Sequence, residues 1–402
     1  MTKFAHFRAQ FPACARQYNN DNLVFMDGPG GTQVPQSVID SISAYYQNSN
    51  ANSHGYFITS EETDRVLDNC RRNMADFLGA AGPECISLGQ NMTTLNYSLS
   101  QAIGRYFQSG DEILITQLDH ESNRGPWLAL RDRGIVVKEV NLLENGQLDY
   151  EDLEGKLNAR TRLLAMGYAS NFMGTVNDVE YARKLTYENG TWLLLDAVHY
   201  APHFPIDVKA MGCDFLMCSA YKFYGPHVGI LYAKPGMLDR LPCDRLITAA
   251  QNAPYSIETG TLNHAALAGV SAALEFMADF GEGTNFRQKV SHAMQEIAMH
   301  ERHLLEMLYE GLNQMDGISI VGPDIETLRT PTLAIRKQGK SPAEVCEYLA
   351  KHNICAWSGH FYALRAAQVL GLNEEGGVTR LGLSAYSNEN DVERVLGAFQ
   401  NL

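Results

Sequence analysis

An α/β fold, built on a mostly parallel sheet covered by helices on both faces and followed by a smaller α+β unit, is predicted by three observations. Apolar runs of strand length alternate with amphipathic helical stretches from about residue 60 to 235. The texture changes after about residue 280, where a long helical pattern precedes short strand-like pieces. The chain has 402 residues, long for one core, which favours two domains. The division falls at residue 280: a large domain over residues 1–280, whose N-terminal segment can pack on the other unit, and a small domain over 281–402.

The strands of the large unit are expected at Cys85–Leu88, Glu112–Gln117, Val136–Val140, Arg162–Met166, Trp192–Asp196, Phe215–Ser219 and Val228–Tyr232. Helical patterns at Leu95–Tyr106 and Val179–Asn189 lie between them. In the small unit a helix runs through Asn285–Met315, with Ile297, Leu304, Leu305 and Leu308 at helical spacing. Strands follow at Ile318–Val321, Thr332–Ile335, Cys355–Trp357 and Thr379–Leu383. Ser341-Pro342-Ala343-Glu344 opens one helix, with Ser as N-cap, Pro at N1 and Glu at N3. Asn388-Glu389-Asn390-Asp391 opens the last.

Composition narrows the function. Charged residues make up 19% and apolar ones 45%, as in an ordinary globular protein. A net charge of −14 with no Lys/Arg block argues against a nucleic-acid partner. No apolar run is long enough to span a bilayer, and the first eight residues hold no apolar signal core. A cytoplasmic location is expected. None of the eight cysteines forms a CxxC pair, so free thiols are expected rather than disulfides or a zinc cluster; no metal site is assigned.

Two segments carry the chemistry. Trp192–Asp196 ends in a carboxylate, and the run through Cys218-Ser219-Ala220-Tyr221 ends in Lys222. In an α/β domain the loop ends of neighbouring strands converge on one crevice. An acid and an amine meeting there is what pyridoxal phosphate (PLP) requires: the amine for a Schiff base, the acid to keep the pyridine nitrogen protonated. The alternative is an ion pair flanking two core strands.

Other strand ends add weight. Cys85–Leu88 runs into Gly89-Gln90-Asn91-Met92-Thr93-Thr94 before a helix, which is either an anion site at a helix N-terminus or plain capping by Asn91 or Thr93. His120 follows Glu112–Gln117, where an imidazole can stack on a ring, pass protons or be incidental. Asn171 follows Arg162–Met166, where its amide either binds a phenolic oxygen or shapes a turn. Asp27-Gly28-Pro29-Gly30-Gly31-Thr32 is a turn that also permits close backbone approach to a ligand. His120, Asn171, Asp196 and Lys222 all sit at the crevice end of predicted strands, and that joint placement favours the PLP reading.

Taken together, Asp196-x-x-His199, Ser219-x-x-Lys222-x-x-Gly225-Pro226, Ile257-Glu258-Thr259-Gly260-Thr261 and Arg380 resemble class V aminotransferase-fold enzymes. The resemblance is nearest to group II cysteine desulfurases and selenocysteine lyases and covers roughly residues 20 to 400. It implies PLP-dependent fold type I, the aspartate aminotransferase-like architecture, in a homodimer that takes a small amino-acid substrate. Lys222 is then the Schiff-base lysine, Asp196 the partner of the pyridine nitrogen, His120 the ring-stacking residue and Asn171 the partner of the ring hydroxyl. Met92 (through its backbone), Thr93, Ser219 and His199 fall where the family binds phosphate, with His199 in a position usually held by Gln. Thr261 matches a residue that reaches the phosphate from the other subunit. Arg380 matches the clamp for the substrate carboxylate, with Gly30, His54, His360 and Tyr362 around the substrate.

The departures bear on the reaction. The family's desulfurases carry an Arg-x-Gly-His-x-Cys loop, whereas this chain has Trp357-Ser358-Gly359-His360-Phe361-Tyr362-Ala363. Tyr362 replaces the persulfide-forming cysteine and Trp357 the arginine. Ser256 replaces a customary arginine, and Tyr221 precedes Lys222 where His is common. Cys355 is near in sequence but opens an apolar strand pattern. The expectation is therefore β-elimination at a C–S or C–Se bond without an enzyme persulfide. A class V aminotransferase or an epimerase, and a non-catalytic PLP-binding protein, remain as alternatives. Trp357, Phe361, Tyr362 and Tyr56 either wall an aromatic substrate pocket or are packing.

Overall fold

The computed structural model describes residues 3–402. Its large sheet contains β2 (Ile86–Gly89), β3 (Glu112–Thr116), β4 (Val136–Val140), β5 (Thr161–Gly167), β6 (Trp192–Asp196), β7 (Phe215–Ser219) and β8 (Gly229–Ala233). A short β1 (Val24–Phe25) precedes them. The spatial order is β2-β8-β7-β6-β5-β3-β4. Six of the seven strands point the same way, and only β8 is reversed, antiparallel to both β2 and β7. The near-continuous apolar runs of β6 and β7 belong to strands buried on both faces, as parallel sheets demand. Helices α1 (Met92–Tyr106) and α2 (Val179–Asn189) cover the sheet from the two separate core clusters that flank it.

The expected elements are present with small shifts. Cys85 belongs to a 3-10 turn, and β2 starts at Ile86. Helix α1 starts three residues earlier than its apolar pattern, because the Asn91 side chain caps it by accepting the Thr94 N–H at 2.9 Å.

After α3 (His264–Phe280) comes α4 (Phe286–Asn313), which serves two cores. Val290, Met294 and Ile297 pack with the large sheet's residues, whereas Leu304, Leu305, Leu308 and Leu312 pack with the small sheet's. That small sheet comprises β9 (Ile318–Val321), β10 (Thr332–Lys337), β12 (Trp357–Gly359) and β13 (Val378–Gly382), in the order β9-β10-β13-β12 and antiparallel throughout. Helices α5 (Pro342–Lys351) and α6 (Glu389–Gln400) both begin with a full capping box, at Ser341/Glu344 and at Asn388/Asp391.

One strand expectation is corrected. Cys355–Trp357 is two pieces. β11 (Ile354–Cys355) pairs in parallel with β1, and Trp357 opens β12 against β13. The chain changes partner at Ala356, so one apolar run feeds two sheets. The β1–β11 pair carries the N-terminal segment onto the small sheet, where Val24 and Met26 join its core.

Candidate active site

The loop ends of β2, β3, β5, β6 and β7 surround one cleft of about 690 Å³. Its lining includes Met92, Thr93, His120, Asn171, Asp196, His199, Ser219 and Lys222, so eight residues singled out from scattered motifs share one cavity. This is the crevice at the carboxyl ends of an open α/β sheet.

Lys222 lies one turn past β7 and is 7% exposed. Its Nζ donates to the Pro29 carbonyl oxygen and stands 4.8 Å from the centre of the Tyr221 ring. Burial, helped by the Arg380 charge, lowers its pKa to about 7. The Gly-rich turn is thus a frame for this lysine. Thr32 N–H donates to the Tyr221 carbonyl at 3.0 Å, and Thr32 Oγ1 accepts from Tyr224 N–H at 2.9 Å. Gly31 has φ of +148°, and a Cβ there would stand 3.1 Å from the Tyr221 ring.

Asp196 ends β6, next to β7. One oxygen accepts the Val198 N–H at 2.9 Å; the other has no protein partner among the described residues. Burial raises its pKa to about 6, so at neutral pH it is an anion with an acceptor to spare. His120 Nδ1 accepts the Ser122 N–H at 3.0 Å. A backbone N–H only donates, so the ring's own proton is assigned to Nε2. Burial, then the Lys222 and Arg380 charges, lowers its pKa to about 4, leaving a neutral imidazole.

At the start of α1 the Met92 N–H donates to Ser219 Oγ at 3.1 Å, joining two expected phosphate contacts at a helix N-terminus. His199 is bound elsewhere: its Nε2 lies 3.0 Å from both Thr330 Oγ1 and Thr332 Oγ1, beside the small sheet. Its Nδ1 is buried without a partner, and burial holds its pKa well below the usual histidine range. No hydrogen bond among the described residues joins it to Met92, Thr93 or Ser219.

Arg380 is 4% exposed and forms no ion pair with a carboxylate among the described residues. Its Nη1 donates to the Asn171 carbonyl at 2.9 Å, and the Phe361 ring centre lies 3.9 Å from its Cζ. Burial lowers its pKa to about 9. The Asp27 charge opposes that shift, but no ion pair joins the two, and a buried guanidinium without a direct partner is costly, which fits a site that receives an anion. The 357–363 loop closes over this group. The Phe361 carbonyl accepts from Asn171 Nδ2 at 2.9 Å, and the Tyr362 carbonyl accepts from Glu121 N–H at 2.8 Å. Phe361 and Tyr362 have φ of 51° and 61°, a left-handed backbone unusual for aromatic residues. His360 Nδ1 accepts the Tyr362 N–H at 3.2 Å and does not line the cleft.

Gly30, Tyr362 and Arg380, like His360, lie outside the lining of this cleft, and two further expected residues lie on another surface. His54, with φ of 68°, is solvent-exposed beside Asp64, and Thr261 is likewise exposed; both border one groove on another face. Several residues were not anticipated. Asp119 accepts from Gly167 N–H at 2.7 Å and Asn123 Nδ2 at 3.0 Å, and burial raises its pKa to about 7. Asp27, raised by burial to about 6, keeps one oxygen buried without a partner. Asp119 directly precedes His120 at a strand end, a signal open to sequence reading. Asp27 and the two threonines reach the site only through tertiary contacts.

The class-V aminotransferase family profile matches residues 24–395. The chain belongs to this family. It is a PLP-dependent enzyme of the cysteine desulfurase-like type. A protein named cysteine desulfurase from Yersinia pseudotuberculosis is 29% identical over 411 residues, covering 98% of this chain and 97% of that protein. The cysteine desulfurase CsdA of Escherichia coli superposes with a TM-score of 0.86 at 26% identity, over 100% of this chain and 98% of the other. An apo cysteine desulfurase from Thermococcus onnurineus gives 0.85 at 26% identity, over 94% of each. The cleft suits the cofactor of this family: a free carboxylate oxygen on Asp196, a buried amine on Lys222 and a helix N-terminus beside Ser219.

Proposed function

We propose that this class V enzyme is a lyase that breaks the C–S or C–Se bond of an amino acid by β-elimination, without an enzyme persulfide. The carrying observation is Tyr362 on the loop where the related desulfurases carry their cysteine, together with the state of the remaining thiols. All eight cysteines are free, and six are buried. Burial raises the Cys355 pKa to about 11, and raises that of Cys346 as well. A thiol held this far above neutrality offers little thiolate.

When bound, PLP supplies an electron sink for the bonds at the substrate's α-carbon. In this reading Asp196 holds the ring nitrogen's proton, Asn171 binds the ring hydroxyl oxygen and His120 covers the ring. Met92, Thr93 and Ser219 hold the phosphate. His199 belongs to the cofactor site, and its contacts favour the end beside Thr332. Arg380 binds the α-carboxylate. The Lys222 amine takes the α-proton; the electron pair released there expels the β-substituent as thiolate or selenolate. The three-carbon enamine left behind hydrolyses to pyruvate and ammonia. The same proposal makes the protein a homodimer in which Thr261 and His54 serve the other subunit's cleft, divides the chain near residue 280 and places it in the cytoplasm. Among the described residues no helix is long and apolar enough to cross a membrane.

An aminotransferase or epimerase would use the same α-proton removal. A non-catalytic PLP binder has no need of an unpaired buried Arg380 beside Lys222. Incubating the holoenzyme with cystine, selenocysteine and S-substituted cysteines separates these readings. The lyase releases pyruvate, ammonia and the leaving group in equal amounts. Accumulation of pyridoxamine phosphate, or racemised substrate without pyruvate, contradicts it.

A further inference from the structure

Trp357 and Arg380 are direct partners across the antiparallel β12–β13 pair. Opposite residues in such a pair present their side chains on the same face, with Cβ atoms roughly 5 Å apart. Both reach toward Gly30. A Cβ placed on Gly30 would lie 3.4 Å from Trp357 Nε1 and 3.6 Å from Arg380 Nη2. A side chain at residue 30 would touch both N–H groups, so glycine there leaves the gap between them and the turn uncovered. The Trp357 indole N–H has no hydrogen-bond partner among the described residues, and Arg380 makes no ion pair there, Asp27 acting on it only through its field. Arg380 Nη1 is already engaged by the Asn171 carbonyl and the guanidinium face by Phe361, so the edge left for a ligand is the one beside Trp357.

We infer that Trp357 is a second ligand of the substrate carboxylate: its indole N–H and Arg380 Nη2 each take one carboxylate oxygen in the gap at Gly30. An indole donates a hydrogen bond and carries no charge. The clamp therefore has two donors but a single positive charge, matched to the single α-carboxylate of a monocarboxylic amino acid.

This inference rests on an amino acid binding beside Lys222, and not on β-elimination. L-Alanine, which has no β-leaving group, is the probe, and L-alanine methyl ester, which lacks the carboxylate, is the control. Binding of each to the holoenzyme is read from the change in cofactor absorbance. Trp357→Phe keeps an aromatic ring at this exposed position but removes the pyrrole half of the indole and with it the N–H. It should raise the Kd for alanine roughly tenfold or more, the worth of one hydrogen bond to a charged group. The Kd for the ester, and the spectrum without ligand, should not change. An unchanged Kd for alanine, or equal losses for alanine and ester, overturns the inference. Neither result depends on pyruvate being formed, so failure of the lyase reading is scored separately.

Discussion

The ring of Tyr362 lies 5.2 Å from the ring of His120, tilted by 36°. The 357–363 loop is held by this aromatic contact and by hydrogen bonds to the Glu121 N–H and the Asn171 side chain. In the proposed reading the phenol takes the place of the desulfurase thiol. A phenol cannot accept sulfur as a persulfide, so a departing thiolate leaves without being captured on that loop.

Lys222 should carry the cofactor. Borohydride reduction followed by peptide mapping should place the pyridoxyl group on Lys222, and a label on Lys234 would contradict the assignment. Its pKa in the empty site, about 7, adds a pH dependence. The amine is protonated and unreactive below that value and neutral above it. Capture of PLP by the apoenzyme should therefore speed up as pH rises through about 7. An inflection only near the ordinary lysine range would contradict the buried environment.

Asp196→Asn should fold and bind PLP, since the amide keeps the shape of the carboxyl and an oxygen that can accept the Val198 N–H. Exchange of the substrate's α-deuterium should nevertheless fall by on the order of 10²–10³, because the ring nitrogen loses its anionic partner. Exchange at the wild-type rate would refute the electronic role.

Glu258 and Arg71 form a buried bidentate pair, with N–O distances of 2.7 and 2.8 Å, and Glu258 also accepts the Leu88 N–H at 2.8 Å. This anchors the Glu258-Thr259-Gly260-Thr261 run to β2. Glu258→Ala strands the guanidinium and should cost about 3–5 kcal/mol of stability. Equilibrium urea denaturation would show it. A loss below about 1 kcal/mol would place the pair among the weak surface bridges.

Thr261 is exposed in the single chain beside His54. If both serve the other subunit's cleft, cofactor binding should strengthen the dimer by linkage. Sedimentation of apo- and holoenzyme should show a tighter dimer with PLP. A monomer with full cofactor occupancy would contradict it.

Much of this was legible before any coordinates. The β6 and β7 runs announce themselves because strands buried on both faces are apolar nearly end to end, and the polar residues closing them, Asp196 and Ser219, mark the crevice. Ser341 and Asn388 were readable as caps because capping is local. What stayed hidden depends on contacts between distant segments. His199 meets Thr330 and Thr332 more than a hundred residues away, and nothing local in Thr332 reveals that. Asp27 gains meaning only once Pro29 lies against Lys222. The split of Cys355–Trp357 between two sheets escaped because one apolar run looks the same whether it serves one partner or two.

The central claim is elimination without an enzyme-bound sulfur. Intact-protein mass spectrometry of the holoenzyme after incubation with cysteine or cystine, with pyruvate assayed in the same sample, tests it most directly. The account predicts pyruvate and an unchanged protein mass. A gain of one sulfur atom on Cys355 or another cysteine, with turnover lost when that residue is replaced by Ser, would contradict it and assign the enzyme to sulfur transfer.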